Sequence, residues 1–178
     1  MGRDFKLTGL IYGPPCQVYS VALTMDGKRV ISGLLDSRIM IWDLMELKLP
    51  RILRGHLEGV NCIALWPDGR RFLSGSFDKT VKLWDLETGE LKKSFDAHEG
   101  WIHSIAVSPD GKRVVTCSDD ETIKIWDLAT WELLRTLPSG DKSSVKFVSI
   151  TPDGERIISY LSSGLVEIWD IDTGKQLK

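Results

Sequence analysis

The chain has 178 residues, 42% of them apolar and 27% charged, which fits a folded soluble protein with a real core and excludes a disordered chain. Lys and Arg number 23 against 25 Asp and Glu, a net charge of −2, and that balance argues against a dedicated nucleic-acid or membrane-surface binder. No apolar run reaches the roughly 18 residues of a membrane span, and no signal-peptide stretch follows Met1. Three scattered cysteines, Cys16, Cys62 and Cys117, do not make a disulfide framework or a zinc site, so a reducing, cytoplasmic setting is expected.

In chain order, the first segment is strand-like: Phe5-Lys6-Leu7-Thr8-Gly9-Leu10-Ile11, within about residues 4–12. A repeat follows. Trp-Asp occurs at Trp42-Asp43, Trp84-Asp85, Trp126-Asp127 and Trp169-Asp170, in steps of 42, 42 and 43 residues. An Asp-Gly turn keeps the same beat at Asp26, Asp68, Asp110 and Asp153. Two signals in phase over four periods define four units, about 14–54, 55–96, 97–138 and 139–178, within one domain spanning 1–178.

Each unit reads as short strands. Val18 to Leu23, Val60 to Leu65, Ile102 to Val107 and Val145 to Ile150 are β-branched, apolar and run into the Asp-Gly turn. A second strand follows, as in 71–76 and 113–118, then a polar turn and a third, as in 80–84 and 122–126. A looser fourth strand covers 91–95 or 133–137. No window carries a helical stripe with a cap. The reading is all-β, built from antiparallel hairpins.

These motifs resemble the WD40-repeat family of β-propellers, and the resemblance covers nearly the whole chain. Gly55-His56 through Ser74-Gly75-Ser76-Phe77-Asp78-Lys79-Thr80 to Trp84-Asp85 is its most faithful stretch. The resemblance implies an array of four four-stranded antiparallel blades, either part of a propeller or a small ring. It also implies a buried hydrogen-bonded chain of His, Ser or Thr, Asp and Trp in each blade. The matching residues are His56, Ser74, Asp78 and Trp84 in unit two and His98, Thr116, Asp120 and Trp126 in unit three, with identical offsets of 18, 4 and 6. Unit one has Pro14 at the His position and keeps Ser32, Asp36 and Trp42. Unit four has Asp141 there and Ser163 at the Asp position, and keeps only Ser159 and Trp169.

Strand counting adds a constraint. Leu49, Leu91 and Leu133 open a fourth strand seven residues after their Trp, whereas unit four reaches Gln176-Leu177-Lys178 and ends. The N-terminal segment aligns with a fourth strand, Leu7 on Leu91 and Ile11 on Phe95, and is expected to complete the last blade. A single four-blade ring, a homodimer closing an eight-blade ring, and a piece of a longer protein all satisfy that count; the two-chain ring is the expected form in solution.

The resemblance also implies a partner-binding top face. Carried over by position, it comprises Gln17, Tyr19 and Leu35 from unit one, Gly59, Asn61 and Phe77 from unit two, Trp101, His103 and Asp119 from unit three, and Ser144, Lys146 and Ser162 from unit four. Large apolar groups on an exposed rim, framed by polar ones, suit a peptide or protein partner. The expected function is a non-catalytic protein-interaction scaffold. Alternatives are a hydrolytic or metal site at His103 and Asp119, or a regulatory segment of a longer repeat protein. No phosphate loop, HExxH or paired carboxylates occur, so no catalytic residue, metal ligand or cofactor is assigned. Lys142, Lys146 and Arg156 form no basic stripe, and neither nucleic acid nor membrane is expected as a partner. Trp66 and Trp131 fall outside the repeat grammar.

Overall fold

The computed structural model describes residues 16–46 and 49–178. Among them the chain forms fifteen strands and no helix. Blade one holds β1 (Val18–Leu23), β2 (Arg29–Leu34), β3 (Ile39–Asp43) and β4 (Arg51–Leu53). Blade two holds β5 (Val60–Leu65), β6 (Arg71–Ser76), β7 (Thr80–Asp85) and β8 (Leu91–Asp96). Blade three holds β9 (Ile102–Val107), β10 (Arg113–Ser118), β11 (Thr122–Asp127) and β12 (Leu133–Pro138). Blade four holds β13 (Val145–Ile150), β14 (Arg156–Leu161) and β15 (Val166–Asp170). Each blade is a separate antiparallel sheet with its strands in sequence order, and the four form a four-blade β-propeller.

The aspartates of the Asp-Gly turns explain why the hairpins fall in phase. Asp26, Asp68, Asp110 and Asp153 each accept a hydrogen bond through Oδ1 from the backbone N–H two residues on. This local bond fixes the turn without any distant contact. The β-branched first strands then lie side by side, β1 on β5, β5 on β9 and β9 on β13. Between blades the cores are apolar, for example Leu73, Ile102, Ile105 and Trp126 in one cluster and Val115, Val145, Val148 and Ile157 in the next.

Blade four supplies three strands of its own, as the strand count of unit four expects. It has three full strands among the described residues, and the chain then folds back on itself. Asp170 N–H donates to Lys175 O, Trp169 bridges Gln176, and Leu177 N–H donates to Ile168 O at 2.7 Å. Gln176 thus stands beside Trp169 as Leu91 stands beside Trp84. The expected N-terminal strand and Pro14 lie outside the described residues.

The two tryptophans outside the repeat pack on each other between blades two and three. Trp131 lies 6.2 Å from Trp66 and 5.6 Å from Phe95, and Arg71 sits 4.0 Å over the Trp66 ring. Trp131 holds this place at a φ of 65°, where the matching turns have Gly89 and Gly174.

Candidate functional site

The site is built at the end of the blades opposite the Asp-Gly turns. One backbone bond recurs there in every blade. Leu35 N–H donates to Gln17 O, Phe77 to Gly59 O, Asp119 to Trp101 O and Ser162 to Ser144 O, at 2.9 to 3.0 Å. It ties the entry of each first strand to the turn between the second and third strands. Side chains from these positions and from the first strands therefore meet on one face.

Beneath that face, blades two and three are wired alike. His56 sets Nδ1 2.8 Å from Asp78 and Nε2 2.7 Å from Ser74 Oγ, which accepts from Trp84 Nε1 at 2.8 Å. His98 repeats the arrangement with Asp120 at 2.8 Å and Thr116 at 2.8 Å, and Trp126 Nε1 donates to Thr116 Oγ1 at 3.0 Å. Asp78 and Asp120 also accept from the N–H groups of Leu57 and Glu99 and from Thr80 and Thr122. Burial alone pushes both carboxyls up, but the hydrogen bonds from His56 or His98 and the Thr hydroxyls outweigh it and hold them well below the usual range. Burial holds His98 below an ordinary imidazole despite Asp120 beside it. These groups are committed to one another and hold the top loops in place.

Among the described residues blade one keeps the Trp42 to Ser32 bond, 3.0 Å, while Asp36 pairs with Arg38 at the surface. Blade four uses a residue that the sequence reading did not single out. Glu167, on β15, is buried and accepts from Gly140 N–H at 2.8 Å, Ser159 Oγ at 3.3 Å and Gln176 Nε2 at 3.3 Å. Ser159 in turn accepts from Trp169 Nε1 at 3.2 Å. A glutamate on a third strand, where the other units have Met40, Lys82 and Lys124, was the available signal.

On the face itself, three aromatics form a ladder across three blades. Tyr19 of blade one meets Phe77 of blade two edge-on, with ring centroids 5.4 Å apart, and Phe77 lies 4.7 Å from Trp101 of blade three. Tyr19, Trp101 and the neighbouring Leu35 are 36%, 49% and 45% exposed. Gly59 keeps the ladder close, since a Cβ there would come within 3.1 Å of the Phe77 ring and the Leu35 backbone.

A polar cluster continues the line into blade four. His103 Nε2 lies 2.7 Å from Asp119 Oδ1, Lys146 Nζ donates to the same oxygen at 2.6 Å, and Asn61 Nδ2 lies 3.2 Å from His103 Nδ1. The bonds are consistent with the Nε2–H tautomer, with Nδ1 accepting from Asn61. Burial pushes the Asp119 carboxyl up, but hydrogen bonds from Lys146, His103 and Ser144 outweigh it and hold it at about 2. Asp119 is thus an anion matched by the Lys146 cation. Gln17, by contrast, is exposed and joins the face through its carbonyl.

Both ring nitrogens of His103 are therefore engaged. Among the described residues no group of three His, Cys, Asp or Glu side chains could hold a metal ion. Clefts of about 340 Å³ lie at the other end, one lined by Thr24, Asp26, Arg29, Asp68 and Glu87, where Arg29 is already paired with Glu87 at 2.8 Å.

No curated protein matches the chain. A family model describing the first β-propeller of IFT122 matches residues 17–177. With four blades in the propeller arrangement and that match over nearly all of its length, the chain belongs to the family of the IFT122 first β-propeller.

Proposed function

We propose that the chain is a non-catalytic interaction module that binds a peptide segment of a protein partner across its top face. The observation that carries this is the aromatic ladder of Tyr19, Phe77 and Trp101, continuous over three blades and open to solvent at both ends. Exposed aromatics in contact gain by covering, and such groups dominate binding hot spots. An extended peptide would lay apolar side chains along the ladder and present an acceptor to the partly exposed Lys146 amine. Membership of the IFT122 propeller family supports a scaffold role. The absence of catalysis is part of the same proposal: Asp119 takes the Nε2–H of His103 and Asn61 occupies Nδ1, leaving no lone pair for a general base. The cytoplasmic setting is likewise proposed, on three unpaired cysteines, two of them buried. So is a homodimer that closes an eight-blade ring.

The test is selection of peptides from a random display library on the immobilised chain. Binders are expected to carry aromatic or aliphatic anchors and to lose at least tenfold in affinity on the Tyr19→Ser, Trp101→Ser variant. Binders that hold equally to both chains would place the site elsewhere and sink the proposal.

A further inference from the structure

Each first strand carries one residue more than its partner strand can face. Val18 and Ser20 stand opposite Leu34 and Gly33, so Tyr19 is left over; by the same register the extra residues of the next blades are Asn61, His103 and Lys146. A bulge of this kind re-aims the side chain it carries. In blade order the four bulge residues are a phenol, an amide, an imidazole and an ammonium. The last three touch in turn, with Asn61 Nδ2 3.2 Å from His103 Nδ1 and His103 Nε2 3.0 Å from Lys146 Nζ. The row is thus aromatic at blade one and cationic at blade four.

The hydrogen bonds decide what that cation can still do. Asn61 Nδ2 spends its two protons on Ile102 O, 3.0 Å away, and on His103 Nδ1. This holds His103 as the Nε2–H tautomer, whose proton points at Asp119, and Nε2 then has no lone pair for Lys146. Lys146 gives one ammonium proton to Asp119 Oδ1 at 2.6 Å, which leaves two on a side chain that is 37% exposed. Asp119 accepts from His103, Lys146 and Ser144, so a ligand anion meets the unspent ammonium protons and not a bare carboxylate. The same residue ties the cation to the ladder, since its N–H donates to Trp101 O at 3.0 Å. At the blade-one end the Arg38 guanidinium is already engaged, with Nε and Nη2 both on Asp36. The backbone N–H groups of Leu35, Phe77, Asp119 and Ser162 are likewise spent, on the carbonyls of Gln17, Gly59, Trp101 and Ser144.

We propose, on the reading of this face as a peptide site, that Lys146 is its specificity-determining residue and selects peptides in which an Asp or Glu side chain lies on the blade-four side of the apolar group that covers Trp101. A side-chain carboxylate fits better than a chain terminus, because terminal carboxylates are captured by nests of backbone N–H groups and here those groups are spent. Two ammonium protons suit one carboxylate in a charge-assisted bond. The ladder supplies the apolar half of the match and Lys146 the charged half.

The experiment compares peptides selected from the random library on the wild-type chain with those selected on Lys146→Met, which keeps the aliphatic stem and leaves Asp119 its His103 and Ser144 partners. Wild-type binders that need Tyr19 and Trp101 are expected to share an Asp or Glu at one fixed spacing from their apolar anchor, and Lys146→Met binders to lack it. In a synthetic wild-type binder with an amidated C-terminus, changing that residue to Asn or Gln is expected to cost about fivefold in affinity on the wild-type chain and less than about twofold on Lys146→Met, the difference being the worth of a partly exposed ion pair. Lys146→Arg is expected to show the wild-type loss. Ladder-dependent binders without the acidic residue, an equal loss on both chains, or binding that disappears on amidation overturn the proposal and leave the peptide site standing. Binders indifferent to Tyr19→Ser with Trp101→Ser overturn both. Far-UV circular dichroism matching wild type shows that each variant is folded.

Discussion

Glu167 Oε2 lies 3.3 Å from Ser159 Oγ, so blade four places a carboxylate from its third strand where blades two and three place a histidine. The same carboxylate takes Gly140 N–H and the Gln176 amide, which joins the incoming loop, the second strand and the C-terminal tail at one buried point. Glu167→Ala leaves three polar groups without this partner and is expected to cost about 3 kcal/mol. Glu167→Gln keeps one carbonyl oxygen and is expected to cost about 1 kcal/mol. Urea midpoints of the two variants decide the matter: equal losses would mean that the one carbonyl oxygen kept by glutamine does not stand in for the carboxylate.

The His–Asp pairs set a second ordering. Asp78 and Asp120 each satisfy a buried histidine, a backbone N–H and a threonine, whereas Asp36 pairs with Arg38 and the Cys16 thiol at the surface. Asp78→Ala and Asp120→Ala are expected to lose about 3 kcal/mol, because each leaves an imidazole buried without its partner. Asp36→Ala is expected to lose about 0.5 kcal/mol, the usual worth of an exposed ion pair. Unfolding midpoints that coincide across the three variants would refute the ordering.

The repeat beat made the inner strands legible because each is fixed locally, by an Asp at the turn and by branched residues of period two; 18–23, 60–65, 102–107 and 145–150 are strands in the structure as in the sequence. The His–Asp–Ser–Trp chains were implied by the resemblance to WD40 repeats, whose positions recur with the same offsets in units two and three. What escaped the sequence depends on contacts between units. Glu167 takes over from a missing histidine only because the third strand of blade four lies beside the loop at Gly140. The aromatic contacts of Tyr19, Phe77 and Trp101 cross two blade boundaries, so the resemblance implied one face for them but did not show them touching. The fold-back of Gln176 onto Trp169 needed the path of the chain after its last full strand.

Acid lability follows from His98. Burial lowers its folded pKa below the ordinary 6.5, so the unfolded chain binds the extra proton first, and stability falls as the pH drops below about 6.5. Asp78 and Asp120 act lower down: their folded pKa values lie below the ordinary value, so the stability they contribute is present above about pH 4 and is lost as the pH falls through the folded values. A proton NMR titration is expected to place the His98 midpoint below that of an exposed imidazole. A His98 midpoint at or above 6.5 would remove the first limb of this profile.

Trp131 gives the sharpest test of packing against backbone strain. Its φ of 65° suits glycine, and the matching turns do carry Gly89 and Gly174, yet here a tryptophan packs on Phe95 and Trp66 with Lys93 5.5 Å over its ring. A side chain in the left-handed region costs about 1 kcal/mol, so the aromatic contacts must exceed that for the residue to be held there. Trp131→Gly loses the contacts but relieves the strain; Trp131→Ala loses the contacts and keeps it. Both are expected to be less stable than wild type, with the alanine variant lower by about 1 kcal/mol, the reverse of the usual order in a helix. A glycine variant as stable as wild type would show that the contacts do no more than offset the strain. An alanine variant equal to the glycine one would show that the turn relaxes once the ring is gone.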